Sequence, residues 1–139
     1  MKKLTVIFTF FVIFGVSRLF AQDTPHPIDV YLDSCMEKNP STMGMTKCTD
    51  EAAKMWDEEL NKYYKILMNV LDDESAKALK SAEVQWIAFK EKEFANIDLM
   101  YSKMDGTMYI PMHSYAKLDI IKARALQLKD YYELMTGND

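Results

Sequence analysis

Residues 45–105 read MTKCTDEAAKMWDEELNKYYKILMNVLDDESAKALKSAEVQWIAFKEKEFANIDLMYSKMD, with neither glycine nor proline. A stretch of this length without turn-forming residues is unlike β-hairpins or βα units, in which glycine and proline recur at the turns. Its apolar residues Trp56, Leu60, Tyr63, Leu67 and Val70 are spaced four and three apart, as on one face of a helix. The stretch therefore predicts long helices and argues against a Rossmann fold, a P-loop enzyme or a β-sandwich.

Residues that favour helix ends divide the chain into four predicted helices. Pro27 and Pro111 suit the first positions of the first and last helices, Asp72 or Asp73 caps the third, and Gly137 ends the fourth. The expected ranges are 27–38, a start between 41 and 49 running to 71, 74–102, and 111–136. We therefore expect three long helices and one short N-terminal helix.

The apolar spacing also predicts which faces of the last two helices are buried. On the third helix the expected stripe is Leu79, Ala82, Trp86, Phe89 and Ile97, with Glu93 on the same side. On the fourth helix it is Leu118, Ile121, Ala125, Leu128, Tyr132 and Met135. Asp105-Gly106 is a turn signal between these two helices.

The N-terminal residues are typical of an export signal. Lys2 and Lys3 precede an apolar run over residues 4–16, and Ala21 stands just before a polar stretch. We expect cleavage after Ala21, leaving residues 22–139 as a single domain without a stable membrane anchor, because the run is shorter than a spanning helix. The alternative is an uncleaved N-terminal anchor. The predicted location is the periplasm or the extracellular medium.

Cys35 and Cys48 are the only cysteines. An even count in a chain with an export signal favours a disulfide over a metal pair or two buried thiols. With the predicted helices, this gives an all-α fold: a small, disulfide-containing helical bundle.

The charge balance is acidic after signal removal. Residues 1–21 contain Lys2, Lys3 and Arg18 and no acid, so residues 22–139 hold 14 basic and 21 acidic residues, a net charge of −7. Phosphate backbones repel such a protein, so we expect no nucleic-acid partner. A basic protein partner is favoured instead.

Catalytic motifs are absent from the sequence. The two histidines are His26, in the predicted linker, and His113, and no nucleophile elbow, zinc-protease motif or phosphate-binding glycine loop occurs. We therefore expect a non-enzymatic protein without a cofactor. Glu93, on an apolar stripe near Lys90, most simply forms a rim ion pair.

Methionine is frequent and leaves an alternative open. Met100, Met104, Met108 and Met112 recur every four residues, and His113 follows. Thioether sulfur suits Cu(I), so Met104, Met108, Met112 and His113 form a weak candidate copper site. Methionine also fills irregular gaps in cores, and Asp105-Gly106 interrupts the spacing.

Several linked segments resemble the LprI-like lysozyme-inhibitor domain family. The match consists of Cys35, Cys48, WDEELNKYY at residues 56–64 and LKSAEVQWIAFK at 79–90, followed by Gly106, Pro111-Met112, Tyr115 and the helix over 118–128. The family's second cysteine pair is replaced here by Phe94 and Lys117, its arginine by Lys90 with Glu91 as the acid that follows, and a capping-box glutamate by Gly44.

The resemblance implies a secreted or periplasmic helical domain; some members of the family inhibit lysozyme, and many others have no known activity. Blocking an enzyme cleft requires a protruding element, and the loop over residues 102–111 is the candidate, with Asp105 at its tip and Met108, Tyr109 and Ile110 as anchors. The same apolar residues also suit a plain connection that covers the end of the core. The alternative functions are copper binding and an envelope interaction module without inhibitory role.

Overall fold

The computed structural model describes residues 24–137, which form four helices and no strand. The helices are α1 (Pro27–Lys38), α2 (Thr42–Val70), α3 (Asp73–Tyr101) and α4 (Tyr109–Thr136). This confirms the all-α bundle with three long helices and one short N-terminal helix. The predicted export signal, residues 1–21, lies outside the described residues. None of the helices within residues 24–137 is long and apolar enough to cross a membrane.

Local capping explains where three of the helices begin or end. The Asp72 carboxylate accepts a hydrogen bond from the Ser75 amide at 2.8 Å, as predicted for the start of α3. At the start of α2, the Ser41 hydroxyl accepts from the Gly44 amide at 3.1 Å. Gly137, with φ of +67°, terminates α4 in the left-handed conformation that glycine adopts without strain.

Gly44 is required by a close approach of two chain segments. A Cβ atom at this position would lie 2.7 Å from both Cβ and the carbonyl oxygen of Asn39. The glycine that replaces the expected capping-box glutamate therefore lets the first turn of α2 pass next to the end of α1.

The centre of the molecule is the packing of α4 against α2. Lys122 lies over the Trp56 ring at 5.4 Å, and the Tyr63 and Tyr132 rings are 5.9 Å apart, so the two helices run parallel. Trp56, Leu67, Leu118 and Leu128 are the largest apolar side chains that this packing buries completely. α3 runs antiparallel to α4 and packs mainly on it.

α1 is attached to this pair by three kinds of contact. Cys35 and Cys48 form the predicted disulfide, Ile28 and Leu32 enter the core, and the Asp29 carboxylate pairs with Lys122 at 2.7 Å. The sequence predicts that His26 lies in a linker, and this prediction is wrong, because His26 is the N-terminal cap of α1.

His26 instead contributes to both the start of α1 and the core. Its Nδ1 accepts a hydrogen bond from the Ile28 amide at 3.2 Å, and its ring lies 4.3 Å from the Trp56 ring. The sequence does not indicate this cap, because Ser, Thr, Asp or Asn is the usual residue at the N-terminal cap of a helix.

The predicted core of α3 is partly wrong. Leu79 and Ile97 are buried and Trp86 is half-buried, but Ala82 is exposed and Phe89 is 52% exposed. Because α3 packs on α4 and barely touches α2, only a narrow strip of its surface is covered. Val70 and Met135, assigned to the α2 and α4 stripes, are also exposed, because they lie at helix ends.

Candidate functional site

The connection between α3 and α4 is shorter than predicted. α4 begins at Tyr109 rather than Pro111, so two of the proposed anchor residues, Tyr109 and Ile110, belong to its first turn. Gly106, with φ of +113°, forms the turn predicted from Asp105-Gly106. The candidate partner loop is therefore residues 102–108 together with the first turn of α4.

The four predicted loop residues differ in accessibility. Asp105 is exposed, and Met108 and Ile110 are 62% and 51% exposed. Tyr109 is half-buried, and its ring lies beside Gly106, where an added Cβ would be 3.9 Å from Tyr109 Cδ2. Met108 and Ile110 are thus the apolar side chains that protrude, while Tyr109 supports the turn.

A cleft of about 310 Å³, here called the loop cleft, lies on one side of this segment. It is lined by Asp98, Tyr101, Ser102, Met104, Gly106, Tyr109, Ile110 and His113. Its walls are mainly aromatic and aliphatic side chains, and its polar side chains come from the end of α3 and from His113 on α4.

An ion-pair cluster fixes the end of α3 against α4 beside the loop cleft. Asp98 Oδ1 lies 2.5 Å from both Lys117 Nζ and His113 Nε2. The hydrogen bond from Lys117, and then that from His113, lowers the pKa of Asp98 below its ordinary value. The Tyr101 ring packs edge-on against the His113 ring at 5.5 Å. The loop is therefore held at its base by contacts between the two helices that it joins.

A second cleft, of about 670 Å³, opens on the other side of Ile110 and is here called the α2 cleft. It is lined by Thr42, Met43, Thr46, Lys47, Asp50, Glu51, Lys54, Thr107 and Ile110. Ile110 lines both clefts and forms the ridge between them.

Met43 extends the apolar surface of this end of the molecule. Its side chain is 83% exposed in the first turn of α2. Sequence reasoning missed it because no periodicity marks a residue outside the buried stripe. The parallel arrangement of α2 and α4 brings their first turns together, so Met43 lies at the same end of the bundle as Ile110.

The structure brings only part of the methionine series together. Met104 and His113 line the loop cleft, whereas Met108 and Met112 do not. His113 is already bonded to Asp98. Within residues 24–137 there is also no group of three or more His, Cys, Asp or Glu that could hold a metal ion.

A buried ion pair between α3 and α4 was not predicted. Arg124 donates from Nε and Nη2 to Glu83 Oε2, at 3.0 and 2.7 Å, and both side chains are buried. The sequence does contain an indication that Glu83 is buried, since it follows Leu79 by four residues and precedes Trp86 by three, which places it on the same side of the helix. Glu93 was singled out instead; its carboxylate accepts from Asn96 at 3.2 Å, while Lys90 lies over Trp86.

Phe94 and Lys117 do face each other across α3 and α4. Lys117 Nζ lies 5.3 Å from the centre of the Phe94 ring. A cation–π contact thus joins the helices where the resembled family carries a second cysteine pair.

Comparison with known proteins agrees with this arrangement. The family model described as lysozyme inhibitor LprI matches residues 35–128, the segment from the first disulfide cysteine to the last buried leucine of α4. An uncharacterised protein from Burkholderia thailandensis has a similar crystal structure, with a TM-score of 0.77 and 25% sequence identity. The match covers 82% of this chain and 57% of that one. No protein of curated function matches this chain.

Proposed function

Because the chain belongs to the LprI lysozyme-inhibitor family, we propose that it is an exported, non-enzymatic inhibitor of lysozyme-type hydrolases. The observation that carries the proposal is the apolar end of the bundle formed by Met43, Met108 and Ile110 beside the two clefts. Exposed apolar side chains grouped at one place on a protein surface mark an interaction site.

The frame beneath these side chains is suited to insertion into a cleft. Asp98, His113 and Lys117 join α3 to α4 at the base of the loop, and Pro111 is buried in the first turn of α4. A segment held in place before binding loses little conformational entropy when it binds, which favours affinity. The loop can therefore present Met108 and Ile110 as fixed anchors.

Charge supports a basic enzyme as the partner. Residues 22–139 carry a net charge of −7, and lysozymes of the common type are basic. Opposite net charges accelerate encounter, whereas the apolar anchors determine how long the complex lasts. The two contributions can be separated by kinetics.

The anchor assignment is tested by measuring dissociation of the protein from lysozyme. Replacing Ile110 by Ala removes the ridge between the clefts and should raise the dissociation rate about tenfold, as for a central anchor worth more than 1 kcal/mol. Leu134→Ala is the matched control, because Leu134 is an exposed aliphatic residue near the other end of α4.

Equal dissociation rates for the Ile110→Ala and Leu134→Ala variants would remove the loop from the proposal while leaving inhibition itself possible. Loss of inhibition by both variants together would indicate damage to the fold. Far-ultraviolet circular dichroism of each variant distinguishes that case.

A further inference from the structure

One face of α3 carries apolar side chains that stay largely exposed within the described part of the chain. Lys77, Lys80, Val84, Ile87 and Glu91 are spaced three and four apart and are all exposed; this set is here called the α3 outer face. A neighbouring strip of α3, which carries Leu79 and Ile97, is buried in the packing of α3 on the bundle. A helix that carries apolar residues on more than one side is normally covered on more than one side.

Four of the five residues of the α3 outer face are placed symmetrically about the midpoint between Val84 and Ile87. Val84 and Ile87 are the apolar pair; Lys80 precedes Val84 by four residues, and Glu91 follows Ile87 by four residues. None of the ion pairs found within residues 24–137 involves Lys80 or Glu91. Their charges are therefore available for an external contact.

A second copy of the same helix complements this face in one orientation. Laid antiparallel about the midpoint between Val84 and Ile87, the copy places its Ile87 against Val84 and its Glu91 against Lys80. A parallel copy in register places lysine against lysine and glutamate against glutamate, which is repulsive. A two-fold axis generates every such contact twice.

The surface beside the face offers room for the apolar side chains of the copy. A shallow groove of about 210 Å³ lies between α2 and α3, lined by Leu60, Asn61, Tyr64, Lys80, Glu83, Val84 and Ile87. An aliphatic side chain from the second copy fits this groove as a knob fits a hole. A basic lysozyme is less suited to this place, because the face holds two lysines and one glutamate.

We infer that the α3 outer face is a two-fold, antiparallel contact between two copies of this chain, centred on Val84 and Ile87 and oriented by Lys80 with Glu91. The contact is small and therefore weak, so the dimer forms as the protein concentration rises. It lies on α3 and leaves Met108 and Ile110 to a different partner. The inference is independent of the proposed inhibitory function.

The test is sedimentation velocity of the exported protein over a range of concentrations. The average mass should rise towards twice that of one chain. Lys80→Glu and Glu91→Lys should each weaken dimerisation roughly tenfold, because the two-fold axis applies each charge reversal twice. The double variant carrying both reversals should restore it.

Val84→Glu should abolish the dimer, and Val30→Glu is its matched control. Val84 is 56% exposed on α3 and Val30 is 51% exposed on α1, so neither change opens the core. A wild-type protein that remains monomeric at its highest soluble concentration would overturn the inference. So would a double charge reversal that fails to recover the dimer, or a Val30→Glu variant as impaired as Val84→Glu.

Discussion

At the scale of single residues, Arg124 and Glu83 form the buried ion pair that joins α3 to α4. Replacing Arg124 by Met leaves the Glu83 carboxylate buried without its cation, at a cost of about 3–5 kcal/mol in the free energy of unfolding. Urea denaturation measures this loss. Replacing Glu83 by Leu as well should recover most of it, since a neutral apolar pair needs no partner. A single Arg124→Met variant as stable as the wild type would contradict the assignment.

Asp98 gives the molecule a specific response to acid. Its bonds to Lys117 and His113 hold its pKa below the ordinary value, so the folded protein binds fewer protons at this site than the unfolded chain. The stability from this group is therefore complete above the unfolded pKa of about 4 and is lost as pH falls through the lower, folded pKa. Unfolding midpoints should decline less steeply below pH 4 in Asp98→Asn than in the wild type. Identical slopes for the two proteins would argue against the cluster.

Residue-level predictions from the sequence succeed where the cause is local. The Asp72 cap and the Cys35–Cys48 bond depend on neighbouring residues or on the only available partner. The Glu83–Arg124 pair joins residues 41 positions apart, and its existence depends on how α3 and α4 are aligned. That alignment is a property of the packed bundle.

At the scale of elements, the disulfide is the covalent attachment of α1 to α2. It closes a loop with a sequence separation of 13 residues, and its removal by Cys35→Ala with Cys48→Ala should lower the free energy of unfolding by roughly 2–4 kcal/mol. Chemical denaturation of the double variant measures the change. The helix should remain docked, because Ile28, Leu32 and the Asp29–Lys122 pair also hold it. A loss below 1 kcal/mol would mean that these contacts alone determine its position.

The uneven covering of the helices can be tested with two apolar truncations. Leu118→Ala removes a side chain that is fully buried between α2 and α4 and should cost about 2–5 kcal/mol. Phe89→Ala removes a larger side chain from a half-exposed position and should cost less than Leu118→Ala does. Thermal unfolding of both variants gives the comparison. The reverse order of stability would contradict the placement of α3.

The predicted buried face is largely correct for α4 and only partly correct for α3, and this difference has one physical cause. Periodicity identifies the buried face of a helix when a single apolar stripe is present, as on α4, where Leu118, Ile121, Ala125 and Leu128 are buried as predicted. α3 carries apolar residues around its circumference, so its pattern does not specify which strip meets α4. Val84 and Ile87, two of the apolar residues that this packing leaves exposed, are those of the proposed dimer contact.

At the scale of the whole molecule, the acidic charge and the apolar loop end have different roles in the proposed inhibition. Glu58→Lys changes an exposed acid far from Met108 and Ile110, so it should slow association with a basic lysozyme and weaken its dependence on salt. The dissociation rate should hardly change. Stopped-flow or biosensor kinetics at several ionic strengths separate the two rates. An altered dissociation rate would place Glu58 inside the interface.

The two proposed surfaces are far enough apart that mutations can test each one separately. The loop end lies where α2 and α4 begin, whereas the centre of the α3 outer face lies at the middle of a different helix. Val84→Glu should therefore leave lysozyme inhibition intact, and Ile110→Ala should leave dimerisation intact. The apolar residues of the loop indicate it in the sequence, but neither the place of Met43 nor the α2 cleft could be predicted, since both depend on the parallel pairing of α2 with α4.

The most direct measurement is the lytic activity of several lysozyme types on peptidoglycan, titrated with this protein at low and at moderate salt. We expect saturable inhibition of at least one basic lysozyme, stronger at low salt and weakened by Ile110→Ala but not by Leu134→Ala. Full lytic activity of every lysozyme type at micromolar protein and low ionic strength would contradict it.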